Sequence, residues 1–169
     1  NTGTSWSLIG TGLPTGESRS AIAVTSANSN YVYYLAGPGG SGGASTYKGL
    51  YRSTDSGSTF STMSTTPNIL GHDSSGGGSS DQSWYDLAIA VNPSNANNTI
   101  TGGVNIWRST NGGTTNSMIA YWYFPGATQY VHADIHELVY NPVDNKLYSG
   151  SDGGISISSD NGLTWSNIW

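Results

Sequence analysis

Ser158-Ser159-Asp160-Asn161-Gly162-Leu163-Thr164-Trp165 decides how this chain is read, because the pattern recurs. Ser53-Thr54-Asp55-Ser56-Gly57-Ser58-Thr59-Phe60 repeats it, and Ser109-Thr110-Asn111-Gly112-Gly113-Thr114-Thr115-Asn116 does so with Asn in the Asp place and no closing aromatic. Asn1-Thr2-Gly3-Thr4-Ser5-Trp6 fits from the Asp position onward. The aligned glycines Gly3, Gly57, Gly113 and Gly162 lie 54, 56 and 49 residues apart. That is the period of a four-stranded unit, not of a helical repeat. Each residue of the box has a mechanical use. Asp accepts hydrogen bonds from amides of its own turn, Gly takes the positive φ that side chains resist, and the aromatic packs beneath. Asp55, Asn111 and Asp160, with Gly57, Gly113, Gly162 and Trp165, are therefore read as structural pins of a hairpin.

The segments between the boxes repeat too. Ser20–Thr25, Leu87–Asn92 and His136–Asn141 are short and strand-like, and Asn92-Pro93 and Asn141-Pro142 mark turns after two of them. Second strands are expected at Tyr31–Ala36, Thr99–Gly103 and Lys146–Ser149. Third strands, at Leu50–Ser53, Ile106–Ser109 and Ile155–Ser158, run into the boxes, and a fourth leaves each box. No amphipathic helix is found. The pattern predicts an all-β chain.

Composition narrows the function. The 169 residues suit one ordinary domain. Five Lys and Arg against ten Asp and Glu give a net charge of −5, which lacks the phosphate-neutralising charge that nucleic acid requires. No apolar run approaches the length of a membrane-spanning helix, so no membrane insertion is expected. There is no cysteine, hence no disulfide framework, thiolate nucleophile or Cys-based zinc site. Only 9% of residues are charged, yet six Trp, eleven Tyr and two Phe argue against disorder. The Ser/Thr/Asn/Gly-rich, lysine-poor character predicts an extracellular, secreted or cell-surface setting.

The boxes resemble those of Asp-box (BNR) repeat β-propellers, and the resemblance covers essentially the whole chain. That superfamily includes sialidases, xyloglucan-cleaving glycosidases, sortilin-type receptors and large secreted bacterial propellers. The stretches Trp84-Tyr85-Asp86-Leu87, Val131-His132-Ala133-Asp134-Ile135-His136 and Ser151-Asp152-Gly153-Gly154 are most similar to the last group. The resemblance implies a β-propeller segment of three complete four-stranded Asp-box blades plus one leading strand. The expected divisions are a blade end at 1–12 and blades at 13–66, 82–121 and 130–169. Three blades do not close a propeller, for which about four to eight are typical, and an open ring leaves sheet edges unpaired. The expected partners are the remaining blades of a parent chain, or further copies, that close the ring.

Several residues could carry chemistry. In an extended segment His132, Asp134 and His136 would share one face. They could bind a metal, form a polar site, or make a hydrogen-bonded network that holds a loop; no metal or other cofactor is assigned. Xyloglucanase-like families carry a catalytic Asp in an Asp-x-Gly-Gly hairpin, so the resemblance nominates Asp152, with Gly153 in the variable place. Asp134 is the best partner for it, with Asp86 and Glu137 behind, since a glycosidase needs two carboxyl groups flanking the scissile bond. Asp-Gly-Gly is equally a good turn. Sialidases clamp a substrate carboxylate with three arginines; here only Arg19, Arg52 and Arg108 exist, and the last two precede boxes in repeat-equivalent places. Trp84, Tyr85 and Trp122 could stack on sugar rings beside the His-Asp-His segment, or fill space between blades. Asp73 and Asp81 lack the spacing of an EF-hand calcium loop, and the glycine-rich stretch between them reads as a surface insertion.

The leading expectation is an extracellular, non-catalytic recognition or scaffold segment of a larger propeller protein, with polysaccharide or glycan as ligand. The alternative is part of a xyloglucanase-like glycoside hydrolase using paired Asp residues.

Overall fold

A computed structural model of the chain describes residues 3–38, 47–79, 81–124 and 126–168. Twelve short strands among them form three antiparallel sheets of four. The first sheet orders β1 (Ser20–Val24), β2 (Val32–Ala36), β3 (Gly49–Ser53) and β4 (Ser61–Ser64). The second orders β5 (Ala88–Val91), β6 (Thr99–Gly102), β7 (Ile106–Ser109) and β8 (Ser117–Ala120). The third orders β9 (Ile135–Tyr140), β10 (Leu147–Ser151), β11 (Gly154–Ser158) and β12 (Ser166–Ile168). Every strand pairs with its neighbour in sequence, so each sheet is a simple meander. The strands expected with stated bounds match these within one residue, apart from β10, which runs two residues further, to Ser151. None of the described residues forms a helix long and apolar enough to cross a membrane.

The boxes are the hairpins that join third strand to fourth, and all three share one hydrogen-bond pattern. Ser53, Ser109 and Ser158 accept the amide N–H of Gly57, Gly113 and Gly162 at 2.8, 2.8 and 2.7 Å. Asp55, Asn111 and Asp160 each accept the amide N–H four residues on at 2.9 Å. The three glycines have φ of +89°, +91° and +86°, where a side chain would be strained. Of the closing positions, Trp165 is buried and donates its indole N–H to the Gly162 carbonyl. Asn116 instead donates to Ser64 Oγ at 3.0 Å, across to the first sheet.

The sheets stack through two apolar seams. Ala23, Tyr33, Leu35 and Leu50 of the first sheet meet Ile89, Val91 and Trp107 of the second. Ala88, Ala90, Ile100 and Ile106 of the second meet Ile135, Leu138, Leu147 and Trp165. The middle sheet is thus buried on both faces, which is why β5 and β6 are apolar or small at every position instead of alternating. Close approach at the second seam depends on Gly102, where a Cβ would lie 2.6 Å from Ile135 Cγ2. The innermost strands β1, β5 and β9 adjoin. They border an open groove of about 360 Å³ whose lining includes Ile22, Val24, Val91, Leu138, Val139 and Tyr140.

Residues 3–12 lie outside the three sheets, and Trp6 is 91% exposed; Asn1 and Thr2 of the leading box are not among the described residues. The segment is tied to the first sheet by the Phe60 amide, which donates to the Thr11 carbonyl at 3.0 Å, and by Leu13 packed near Tyr34 and Tyr51. The stretch read as a surface insertion follows firmly anchored residues. Ile69 and Leu70, just before it, are fully buried in the first core, and Asn105 donates to the carbonyls of Gly71 and His72. Asp73 and Asp81 each cap their own turn, through Ser75 and Ser83.

Candidate functional site

The candidate residues gather where the innermost strands begin. Three segments contribute: the turn at 82–86 before β5, the segment 132–136 entering β9, and the β10–β11 hairpin at Ser151–Gly154. Asp152 in that hairpin is the meeting point. His136 Nε2 lies 2.7 Å from its Oδ1, and the Tyr85 hydroxyl, from the neighbouring sheet, donates to Oδ1 and Oδ2 at 3.1 and 3.2 Å. The Tyr85 and His136 rings meet edge to face with centroids 4.8 Å apart. The His136 contact, with the Tyr85 hydroxyl, holds the Asp152 carboxyl below the usual carboxylate range. The same carboxylate pushes the Tyr85 phenol up.

A second polar group sits beside the first. The Gln82 side-chain amide donates to Asp134 Oδ1 and, at 3.1 Å, to Asp86 Oδ2. Asp86 is fully buried, and its Oδ1 has no hydrogen-bond partner. Burial pushes its carboxyl up to about 7; the Gln82 amide opposes the rise and nearby Asp134 adds to it. Asp86 is therefore a carboxyl that holds its proton up to near neutral pH, joined through Gln82 to Asp134.

The expectation that His132, Asp134 and His136 line one strand face needs correction. The strand begins only at Ile135, and Asp134 has φ +66°, a left-handed conformation that breaks the alternation. A bulge follows: Ser151 pairs with Ile135 and Gly150 with Glu137, leaving His136 as the extra residue. The three side chains therefore part. His136 goes to Asp152, Asp134 to Gln82, and the His132 ring lies against Gly153 with Nδ1 3.2 Å from the Ala133 carbonyl. Among the described residues, no three His, Asp or Glu side chains are grouped so as to hold a metal.

The aromatic residues divide. The Trp84 ring, half exposed, lies 5.7 Å from that of Tyr85 and belongs to the site. Trp122 makes its ring contacts with Tyr121 and Tyr123, in a cluster that includes Phe124. Sequence reasoning missed two supporting residues. Gln82 bridges two carboxyl groups 48 residues apart in the chain, Asp86 and Asp134, and Arg19 donates to the carbonyls of Trp84 and Tyr85, fixing the turn that presents both rings. A lone Gln and a lone Arg carry no local signal of such roles.

No protein-family model matches the chain, and no curated protein shows significant similarity to it. Solved structures do. An ancestral GH74 enzyme superposes over 94% of the chain with a TM-score of 0.55 at 20% identity. The GH74 xyloglucanase from Xanthomonas campestris covers 88% with a TM-score of 0.53 at 17% identity. The structure of YCF48 bound to D1 peptide covers 92% with a TM-score of 0.55 at 16% identity. The chain spans 19%, 23% and 40% of those three chains. At these identities the likeness is one of fold: the three sheets are four-stranded blades of a β-propeller, with the polar cluster at the mouth where the innermost strands start.

Proposed function

We propose that this chain is an extracellular recognition segment of a larger Asp-box β-propeller, and that its mouth binds glycan without cleaving it. The observation that carries this reading is the convergence of Tyr85, His136 and Asp152 beside the exposed Trp84 ring. Sugar rings offer an apolar face and a rim of hydroxyls. An aromatic face next to a carboxylate, a phenol and an imidazole complements both. The Ser/Thr/Asn-rich, lysine-poor surface accords with the extracellular setting.

Catalysis fits the geometry less well. A glycosidase acid must reach the leaving oxygen, and Asp86, the carboxyl protonated near neutral pH, is fully buried. Asp134 is held by Gln82, and both oxygens of Asp152 already accept hydrogen bonds. One observation favours a hydrolase nonetheless: Asp86, its carboxyl pushed up by burial, is bridged by the Gln82 amide to a second carboxyl group, Asp134, and acid–base cleavage uses a pair of carboxyl groups.

Titration with xyloglucan and cello-oligosaccharides, read by calorimetry and by reducing-end release, separates the two. Binding with a Kd of about 0.1–1 mM, weakened about tenfold in Trp84→Ala and Asp152→Asn and with no release of reducing ends, is the expected result. Release that disappears in Asp152→Asn would establish the hydrolase. No response to any oligosaccharide at about 10 mM, well above that range of Kd, would refute glycan recognition.

A further inference from the structure

Asp86 is a buried carboxyl with no counter-ion. It closes the 82–86 turn, its Oδ1 has no hydrogen-bond partner, and its Oδ2 accepts from the Gln82 amide at 3.1 Å. That amide also donates to Asp134, in the segment entering the third blade. Among the described residues the ion pairs are His136 with Asp152 and Lys146 with Asp144, so none reaches Asp86 or Asp134. Arg19, from the first blade, spends its guanidinium on the carbonyls of Trp84 and Tyr85. Tyr85, next to Asp86 on the turn, lies in the field of Asp86, Asp134 and Asp152 together, with His136 at its ring. Apart from Arg19 and the His136 ring, the ionisable groups these contacts bring to the turn are acids.

Two carboxyl groups tied to one amide in a desolvated place cannot both ionise without cost. While Asp86 keeps its proton, its O–H donates to the Asp134 carboxylate and Gln82 spans the pair. Once it ionises, like charges meet with no cation between them. Burial above all pushes the Asp86 carboxyl up, with Asp134 adding to the rise against the Gln82 bond, to about 7. The two sides of the contact differ in freedom. The 82–86 turn is pinned, since Ser83 is fully buried and donates its N–H and hydroxyl to Asp81 at 3.1 and 2.8 Å. Asp134 is partly exposed, precedes the first residue of β9 and has φ +66°. Asp134 is the side that yields.

We propose that Asp86, Gln82 and Asp134 form a proton-operated clasp between the second and third blades at the mouth. In the closed form Gln82 holds Asp134. In the open form Asp86 has lost its proton to water, Asp134 turns to solvent, and the segment 132–134 comes off the turn. That segment carries the His132 ring against Gly153 and leads into His136, whose Nε2 contacts Asp152. Opening therefore loosens the residues that would receive a ligand, and binding at the mouth weakens as pH rises through neutrality. The effect on ligand rests on the reading of the mouth as a glycan site, and it supplies that site's regulation. By linkage, a ligand that prefers the closed form raises the pH at which the clasp opens.

NMR of the intact chain tests this, following the Gln82 side-chain amide and the Asp86 and Asp134 carboxyl carbons from about pH 5 to 9, a span that brackets a carboxyl raised by burial. One step shared by all three groups is expected. Asp86→Asn, neutral at every pH, should remove the step from Gln82 and Asp134. Asp134→Asn, which takes away the like charge, should move the Asp86 midpoint to lower pH. Cellohexaose, titrated by calorimetry at each end of the range, should bind the wild type about fivefold more weakly at the high end. That loss should disappear in Asp86→Asn, and added cellohexaose should raise the wild-type midpoint. Absence of a step, a step at Gln82 and Asp134 that survives Asp86→Asn, or a midpoint unmoved by Asp134→Asn would each overturn the clasp. So would cellohexaose bound equally well at both ends, which leaves glycan recognition standing. A step with no cellohexaose bound at either end refutes glycan recognition alone.

Discussion

His136 Nε2 lies 2.7 Å from Asp152 Oδ1, and this contact joins the bulge of an innermost strand to the β10–β11 hairpin of the same blade. The Tyr85 hydroxyl reaches the same carboxylate from the next blade. One side chain at the mouth therefore reports on both the local bulge and the seam between blades.

That junction makes the titration of Asp152 a direct readout. Its carboxyl sits below the ordinary range, first because of His136 and then through Tyr85. Carbon-13 NMR of the carboxyl should show its pKa rising in His136→Phe, and rising by less in Tyr85→Phe. A depressed pKa contributes stability above the unfolded carboxylate value and loses it as pH falls through the folded one. Both variants should therefore unfold with a weaker acid dependence below about pH 4, near the ordinary Asp value. An unchanged Asp152 pKa in His136→Phe would show that the contact is not formed in solution.

Asp86 has the opposite sign. Its carboxyl is pushed up to about 7, chiefly by burial, so the folded state holds a proton that the unfolded chain releases near pH 4. Folding should thus weaken as pH rises from about 4 to 7 and then level off. The loss is on the order of a few kcal/mol. Asp86→Asn should flatten that slope in urea unfolding followed across pH. A slope that persists in Asp86→Asn would place its source elsewhere.

The boxes differ in a way that can be tested at one residue. In the first and third, a threonine hydroxyl donates to the Asp carboxylate at 2.7 and 2.6 Å. In the second, Asn111 must donate to Thr115 at 2.9 Å. Asn111→Asp should reverse that bond into the charge-assisted form and stabilise the chain by about 0.5–1.5 kcal/mol. Ser109→Ala removes the acceptor of the buried Gly113 amide and should cost about 1–3 kcal/mol. Chemical denaturation of both variants gives the two signs, and a destabilising Asn111→Asp would contradict the shared geometry.

Two tryptophans at the same box position should behave differently. Trp165 is buried in the second seam and Trp6 is 91% exposed. Trp165→Ala should cost about 3–5 kcal/mol. Trp6→Ser, in the single chain, should stay within about 0.5 kcal/mol. Thermal melts at low concentration distinguish them, and a large loss in Trp6→Ser would mean that Trp6 is packed in solution.

The blades were legible in residue order because each box closes on itself. Ser53, Asp55, Gly57 and Thr59 bond across four residues or fewer, so the turn chemistry stands in one short word of sequence. Its repetition sets the strand positions between. Asp152 stands out as a candidate through the resemblance of its hairpin, and His136 and Tyr85 through residue type and spacing. Their arrangement was not legible. Asp134 at φ +66° and the bulge at His136 break the alternation that a strand would impose, and neither leaves a mark in a window of neighbours. Gln82 acts on Asp134 and Arg19 on Tyr85 from other blades. Such contacts exist only once the seams have formed, because packing between sheets, and not hydrogen bonding within a turn, brings those residues within reach. The same physics separates Trp6 from Trp165: an identical local motif, with burial decided by whether another blade lies against it.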